Sequence, residues 1–199
     1  MINRLIGNFC KRSIKIYTKT GDKGRSSLYT GERRSKDNQI FHALGNTDEL
    51  NAHIGMAATA CNNQSDILAM LTSIQSRLLD LGGCIATPKT SENQEKVNKM
   101  QFNPNHTQQL EQWIDGLQEN LPQLKCFILP SGGEASSRLH VARAVCRRAE
   151  RSLVPLLESG ELDENAYMFM NRLSDFLFVL ARTAAHREGI EEIKYKKEP

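Results

Sequence analysis

Apolar residues recur at spacings of three and four along most of this chain, which is the period of an amphipathic helix. The pattern begins at Phe41, and Asn46 or Thr47 is the expected cap of the first helix, with Glu49 at capping-box distance from Asn46. Hardly any segment alternates as a strand does, so four or five helices predict an all-α bundle. The later helices are expected from Ser65 to about Gly82, from about Thr107 to Pro122, from Leu139 to Leu157 and from about Asn165 to Arg187.

Two segments lack helical periodicity. Thr87 to Pro104 is polar, contains two prolines and is expected to be a surface loop. Lys15 to Ile40 carries Gly21 and Gly24 among lysines and hydroxyl side chains, and glycines let backbone amides approach an anion closely. The two glycines are too close together for a Walker motif. The segment is therefore either an anion cradle or a flexible polar arm.

The helix predicted from Leu139 to Leu157 has a second pattern, since Arg143, Arg147 and Arg151 follow one another at four-residue spacing beside its apolar stripe. Like charges at this spacing oppose helix formation by roughly 0.2–0.5 kcal/mol per pair, and Glu150 offsets only part of that. Because forked arginine donors match phosphate and carboxylate oxygens, the three arginines indicate an external anion. A solvated basic face is the alternative that the arginines alone favour.

Composition narrows the class of protein. The 199 residues are 39% hydrophobic, which suffices for one domain with a core. A formal net charge of +3 gives no general basic excess for nucleic acid, and no apolar run has the length of a membrane span. The five cysteines are scattered without a C-x-x-C pair, as in reduced intracellular proteins. Residues 1–14 are basic and without acids, so they are either a mitochondrial presequence or an ordinary basic terminus.

Four segments in register resemble the PduO-type ATP:cob(I)alamin adenosyltransferases. They are Tyr17 to Asp37 (YTKTGDKGRSSLYTGERRSKD), Gly45 to Asn51 (GNTDELN), Phe127 to Arg151 (FILPSGGEASSRLHVARAVCRRAER) and Asn171 to Arg182 (NRLSDFLFVLAR). The similarity spans nearly the whole chain after residue 14. It implies a five-helix, ferritin-like bundle with an irregular N-terminal arm, a homotrimer and active sites between subunits. One domain over residues 15–190 is then expected, after a presequence at 1–14 and before a polar tail at 191–199.

The resemblance also implies roles for residues. Asp48 resembles the family acid that pairs with Arg143, and Phe127 resembles the aromatic residue that occupies the lower face of the corrin. Asp48, Phe127, Arg143 and Arg147 are the expected catalytic residues, although Phe127, in an apolar run before Pro130, is core packing from the sequence pattern alone. The implied ATP-binding residues are Thr18, Lys19, Thr20, Gly21, Ser26, Ser27, Lys36, Arg147, Arg148, Ala149, Glu150, Arg151 and Asn171.

The implied reaction transfers the 5′-deoxyadenosyl group of ATP to cob(I)alamin, giving adenosylcobalamin and triphosphate through a four-coordinate cob(II)alamin intermediate. Mg²⁺ is expected on the ATP phosphates, with no metal held by the protein. The implied partners are a cobalamin reductase and methylmalonyl-CoA mutase, and the expected location is the mitochondrial matrix, with the cytoplasm as the alternative. Departures from the family at Arg25, Ser26 and Asn46 remove no charged or aromatic participant.

Two other classes of protein compete with this interpretation. A ferritin-like carboxylate oxidase needs Glu-x-x-His pairs on facing helices, and none is present, since Glu49 and His53 are four residues apart. A helical adaptor could bind acidic partners or RNA through the three arginines, but the near-neutral charge and the glycine- and lysine-containing arm argue against it.

Overall fold

The computed structural model describes residue 17 and residues 19–61 and 63–197, so the expected presequence at 1–14 lies outside the described residues. A short antiparallel hairpin comes first, in which strand β1 (Arg25–Ser27) pairs with strand β2 (Arg33–Ser35). Six helices follow: α1 (Gln39–Ala60), α2 (Ser65–Ile85), α3 (Gln94–Lys99), α4 (Asn105–Gln118), α5 (Gly133–Glu158) and α6 (Glu164–Arg187).

The five long helices form a bundle, which confirms the predicted all-α class. α5 and α6 pack side by side at its centre, α1 packs on α5, α4 packs on α6, and α2 packs on α1. α1 and α5 are antiparallel, because Arg148 contacts Glu49 whereas Arg138, earlier in α5, contacts Met56, later in α1. None of the described helices is both long and apolar enough to cross a membrane.

α4 and α6 run in the same direction. Glu111 contacts Arg172 and, further along both helices, the ring of Trp113 lies 5.6 Å from that of Phe176. α1, α4 and α6 therefore begin at one end of the bundle, at which α2 and α5 finish. We call this the arm end, because the hairpin packs there, and we call the opposite end, where α5 begins and α6 finishes, the tail end.

The hairpin is attached to the arm end by specific bonds. Arg34 forms a 2.9 Å ion pair with Glu161 in the loop between α5 and α6. The Tyr29 N–H donates to the carbonyl of Ala86, just after α2, at 3.0 Å. Lys96 of α3 donates to the Tyr29 carbonyl at 2.8 Å. The segment without helical periodicity is therefore an ordered part of the domain.

α1 begins earlier than the sequence pattern predicted. The expected caps Asn46 and Thr47 lie inside the helix, and the cap is Asn38, whose side chain accepts a hydrogen bond of 3.1 Å from the Ile40 N–H. Thr47 donates its hydroxyl to the Ala43 carbonyl at 2.8 Å. Side-chain bonding to the preceding turn lets such a residue remain within a helix, so the predicted cap was wrong.

The expected loop of residues 87–104 and the expected helix break before it also differ in the structure. α2 runs through Gly82 and Gly83, and a Cβ on Gly83 would lie 3.2 Å from the Met100 sulfur. Glycine thus makes room for the following segment, which contains α3 and ends on Phe102, a buried residue whose ring is 5.1 Å from that of Phe169. The segment packs across the arm end and is not a patternless surface loop.

Two close backbone approaches define the tail end. Residues 127–129 pair with residues 193–195 through two backbone hydrogen bonds of 2.8 Å, and we call this pair the terminal ribbon. Just before α5, Gly132 has φ +93°, and a Cβ there would stand 2.6 Å from the Cβ of Ala185. Only glycine allows α5 to begin so close to α6.

Candidate active site

Three arginines on α5 have no acidic partner in the part of the chain that the structure describes. Arg147 and Arg151 are exposed and Arg143 is half-buried. Arg151 donates to the carbonyl of Arg147 at 2.8 Å, but within residues 19–61 and 63–197 none of the three forms an ion pair with a carboxylate. Burial and then the charge of Arg147 lower the pKa of Arg143. The fold therefore holds like charges together, and none of them is neutralised by an ion pair to a carboxylate of the described residues.

The neighbouring residues that were expected to bind ATP have different surroundings. Arg148 faces α1 and pairs with Glu49. Ala149 is fully buried in the core, so its side chain cannot reach a ligand. Asn171 of α6 donates to Glu150 at 2.7 Å. Glu150 thus bonds to α6 and forms no ion pair with Arg147 in the described chain.

A cavity of about 450 Å³ opens between α4, α5 and α6. Arg172 in its wall pairs with Glu111 at 3.1 Å and with Asp175 at 3.0 Å. Arg143 and Arg147 also line it, so they are the cavity arginines without a carboxylate partner in the described residues. The other lining residues are Ile114, Asp115, Gln118, Ser174, Phe178 and Val179.

Phe178 forms an aromatic wall of this cavity. The guanidinium carbon of Arg143 and the ring of His140 each lie 6.0 Å from the centre of the Phe178 ring. Arg143 Nε and both ring nitrogens of His140 are buried without a hydrogen-bond partner in the described chain. Burial and then the Arg143 charge lower the pKa of His140 to about 4, so its ring is neutral at pH 7.

The arm residues lie together at the arm end. Arg33 donates to the Thr20 carbonyl at 2.7 Å, which ties the segment before β1 to β2. A Cβ on Gly21 would lie 3.0 Å from the Lys36 ammonium, so the lysine crosses directly over the glycine turn. Ser26 and Ser27 are in β1, and Lys19 has φ +57° in the turn before it. Thr18 lies outside the described residues.

Asp48 and Arg143 do not pair within this chain. Asp48 is exposed on α1, whereas Arg143 faces the cavity lined by α4 and α6. The arginines of α5 that contact α1 are Arg138 and Arg148. A pair between Asp48 and Arg143 therefore requires two copies of the chain.

Phe127 is not a core residue, because 81% of its surface is exposed. Opposed residues of a two-stranded ribbon point to the same side, so Phe127 and Leu129 share one face with Ile193 and Tyr195 of the terminal ribbon. All four are exposed. Phe127 thus belongs to an apolar surface at the tail end, which the pattern of its own apolar run does not predict.

The sequence pattern assigns no role in the site to Phe178, Ile193 or Tyr195, although the aromatics spread around the last helix, Phe178 among them, indicate burial on more than one side. Phe178 falls outside the inner stripe predicted for the last helix, and an aromatic residue off the stripe is a signal that points to a second contact. Ile193 and Tyr195 lie in a short charged tail whose pairing partner is more than 60 residues away in the chain. No local pattern identifies that pairing.

The candidate residues are arranged lengthwise along α5. The arm lies at the end where α5 finishes, and Phe127 lies at the end where α5 begins. Between them, Arg143 and Arg151 are eight positions apart on α5, a rise of about 12 Å along the helix. No group of three His, Cys, Asp or Glu side chains suited to hold a metal ion occurs among the described residues. The site offers an elongated surface for an anion at the arm end and for an apolar ring towards the tail end.

Comparison with known proteins agrees with this class of site. A sequence model described as "Cobalamin adenosyltransferase" matches residues 16–184. The chain is 52% identical over 184 residues to the corrinoid adenosyltransferase MMAB of Mus musculus, covering 92% of this chain and 78% of that protein. It is 40% identical over 187 residues to the corrinoid adenosyltransferase of Bacillus subtilis, covering 92% and 93%.

A solved structure has the same fold. It is a variant PduO-type ATP:corrinoid adenosyltransferase from Lactobacillus reuteri, complexed with cobalamin and ATP. The TM-score is 0.86 at 34% sequence identity, over 92% of this chain and all of that one. The chain therefore belongs to the cobalamin adenosyltransferase family and is an enzyme, a corrinoid adenosyltransferase. The family resemblance inferred from the sequence is confirmed.

The buried, neutral His140 predicts a pH dependence of stability. Its folded pKa of about 4 lies below the ordinary value of 6.5, so between these pH values the unfolded chain binds a proton that the folded chain does not. The unfolding free energy therefore falls as the pH falls from 6.5 to 4. In urea unfolding, His140→Leu should reduce the slope of the unfolding free energy against pH by the amount that corresponds to about one bound proton. His42→Leu changes an exposed histidine and should show the same pH dependence as the wild type. If the plots of unfolding free energy against pH are parallel for all three proteins, His140 is not buried in its neutral form.

Proposed function

We propose that this enzyme transfers the 5′-deoxyadenosyl group of ATP to cob(I)alamin, giving adenosylcobalamin and triphosphate. The observation that carries the proposal is the set of α5 arginines, Arg143, Arg147 and Arg151. They have no acidic partner in the described residues, and two of them, Arg143 and Arg147, line an aromatic-walled cavity. The related Lactobacillus reuteri protein is complexed with cobalamin and ATP, which supports the same pair of substrates here.

The ATP phosphates are assigned to the arm end. Lys36 beside Gly21 supplies one cation, Arg147 and Arg151 on α5 supply two more, and Asn171 contacts Glu150, the residue before Arg151. Mg²⁺, if bound with ATP, supplies Lewis acidity on the phosphate oxygens. It is expected to be held through those oxygens, because Mg²⁺ sites commonly use substrate phosphates and water in place of an all-protein cage.

The corrin is assigned to the cavity and to the apolar surface towards the tail end. Phe178 offers a ring beside Arg143, and Phe127 offers an exposed ring on the terminal ribbon. In this proposal Phe127 takes the place of the lower ligand of cobalt, which gives a four-coordinate cob(II)alamin intermediate. Such a centre loses no axial bond when it accepts an electron, so its reduction to cob(I) is easier.

In this reaction the nucleophile is the substrate cob(I)alamin, so no side chain of the protein has to act as one. Cob(I)alamin attacks the 5′ carbon of the ribose, the carbon–oxygen bond breaks, and triphosphate leaves with the electron pair. The contribution of the chain is a set of cations already in place for that leaving group, with walls that orient the two substrates and exclude water. The first test is the formation of adenosylcobalamin from ATP and chemically reduced cobalamin. A folded protein that binds ATP in calorimetry but forms no product would contradict the proposal.

We further propose a homotrimer with active sites between subunits. Asp48 and Arg143 lie on different sides of one chain, so their pairing needs a neighbouring copy. An arginine whose Nε is buried and unpartnered is costly to leave alone, and a carboxylate from a second subunit would offset that cost. The assembly is measurable by sedimentation equilibrium as three times the chain mass.

The protein partners follow from the resemblance alone, whereas the location also rests on the sequence of residues 1–14. The mitochondrial matrix is proposed because residues 1–14 are basic and lack acids. Import of a reporter protein fused to residues 1–14 tests the proposed location, and a reporter that stays in the cytoplasm would contradict it.

A cobalamin reductase should accelerate turnover from cob(II)alamin, and methylmalonyl-CoA mutase should take product directly from the loaded enzyme. Unchanged rates on adding either protein would remove it as a partner.

Arg147→Ala should impair ATP use far more than folding. The variant loses a charge-assisted contact to phosphate, which contributes about 1.5–3 kcal/mol. The measurement is kcat/KM for ATP together with a thermal unfolding curve. Arg138→Ala is the matched control, because Arg138 is on the same helix but contacts α1 and does not line the cavity. Wild-type kinetics in folded Arg147→Ala would remove the arginine from the site.

Asp48→Asn and Arg143→Ala should each lower adenosylation, and the double variant should be little worse than either. Either single change already breaks an ion pair between subunits. The second change then has no further interaction to remove, so the two effects should not add. Glu49→Gln serves as the neighbouring control, because Glu49 pairs with Arg148 inside one chain. Fully additive losses of activity would show that Asp48 and Arg143 do not interact.

Phe127→Ala should keep the fold and ATP binding but lose most adenosylation from cob(II)alamin. Pre-reduced cob(I)alamin should restore part of the rate, since the reduction step is then bypassed. The decisive measurement is the electron paramagnetic resonance spectrum of bound cob(II)alamin with ATP. Leu79→Ala, which alters an exposed apolar residue on α2, should match the wild type. If Phe127→Ala retains as much four-coordinate species as the wild type, the assigned role is wrong.

A further inference from the structure

A second cavity, of about 320 Å³, lies behind the terminal ribbon and is unused by the site described above. Side chains alternate across a strand, and Cys126, Ile128 and Lys194 line this cavity whereas Phe127 and Leu129 do not. The ribbon therefore carries Phe127 on one face and walls the second cavity with the other. A ligand in this cavity would therefore contact the same short backbone segment that positions the ring of Phe127.

Much of the cavity wall is apolar. Leu121, Pro122 and Leu124 come from the segment after α4, Ile128 from the ribbon and Ile190 from the segment after α6. The volume and the lining are suited to a flat ring of one or two fused cycles.

The polar part of the wall contains an unused acceptor. Arg182 is buried, donates to the Pro122 carbonyl at 2.9 Å and donates to Glu192 Oε2 at 3.3 Å. The other carboxylate oxygen, Glu192 Oε1, is buried and has no hydrogen-bond partner in the described chain. A buried acceptor without a donor is costly, so this oxygen is a place for a ligand hydroxyl or N–H.

A cation completes the lining. Lys125 forms no ion pair among the described residues, and Lys194 lies 3.9 Å from Glu191, a long and exposed contact. An apolar ring pocket, a buried carboxylate oxygen and a free ammonium group together match a nucleotide with an uncharged base. A carboxylate oxygen suits a ribose hydroxyl, and an ammonium suits a phosphodiester.

We propose that this cavity binds the benzimidazole nucleotide of cobalamin after Phe127 displaces it from cobalt. The ring occupies the apolar wall, Glu192 Oε1 accepts from a ribose hydroxyl, and Lys125 faces the phosphodiester. The inference rests on the proposed function, since only a corrinoid with a displaced lower base presents this group. Binding the displaced nucleotide behind the ribbon prevents it from competing with Phe127 for the cobalt.

The test compares cobalamin with cobinamide, which has the same corrin ring but no benzimidazole nucleotide. Leu124→Trp fills the cavity and should raise KM for cobalamin by about tenfold, equivalent to about 1.4 kcal/mol, while KM for cobinamide changes by less than about twofold. Leu79→Trp, an equal change on exposed α2, should alter neither value. Equal changes for both corrinoids, or no change for either, would overturn the assignment of the cavity.

A binding measurement separates this inference from the proposed function. Calorimetry of the wild type with α-ribazole 3′-phosphate, the isolated nucleotide, should show saturable binding that Glu192→Gln weakens and Leu124→Trp abolishes. Lack of binding by the wild type, or binding unaffected by Leu124→Trp, would refute the site even if both corrinoids are adenosylated. If the wild type adenosylates neither corrinoid, it is the proposed function that fails.

Discussion

The burial of small side chains between α5 and α6 fixes where the charges of the site can lie. Ala142, Cys146 and Ala149 are fully buried, and the Cys146 sulfur lies 3.4 Å from the Met170 carbonyl. A helix turns by about 100° per residue, so burying these positions leaves the residues that follow Ala142 and Cys146 at the edge of the contact. Arginines there lose part of their hydration yet stay open to a ligand. Rigid packing thus holds repelling cations in place before a substrate arrives.

The helices could be predicted because each buries one stripe, and hydrophobic periodicity reports that stripe directly. Their boundaries could not be predicted as well. Asn46 and Thr47 have the chemistry of caps, but Ile40 and Ala43 continue the buried stripe ahead of them, and burial outweighed local capping. The pattern of the segment that contains α3 predicts a loop, because its few apolar residues, among them Phe102, pack against other helices and follow no period of their own.

The site was predictable only where one helix carries it. The spacing of the α5 arginines indicated an anion, and the structure retains them without acidic partners in the described residues. The cavity depends on α4, α5 and α6 together, so no single segment reveals Phe178 as its wall. Phe127 was ambiguous for a related reason, because an apolar run is the same in sequence whether it enters the core or forms a surface ribbon. Only the pairing with residues 193–195 distinguishes these cases.

The terminal ribbon makes the position of Phe127 depend on residues that lie beyond α6. Both backbone bonds that hold residues 127–129 come from Ile193 and Tyr195, beyond the last residue of α6. A premature stop shortly after α6 would keep every helix and release the segment that carries Phe127. A change in these few residues would therefore displace Phe127 without altering a helix, so its effect would appear in the position of that ring and not in the amount of folded protein.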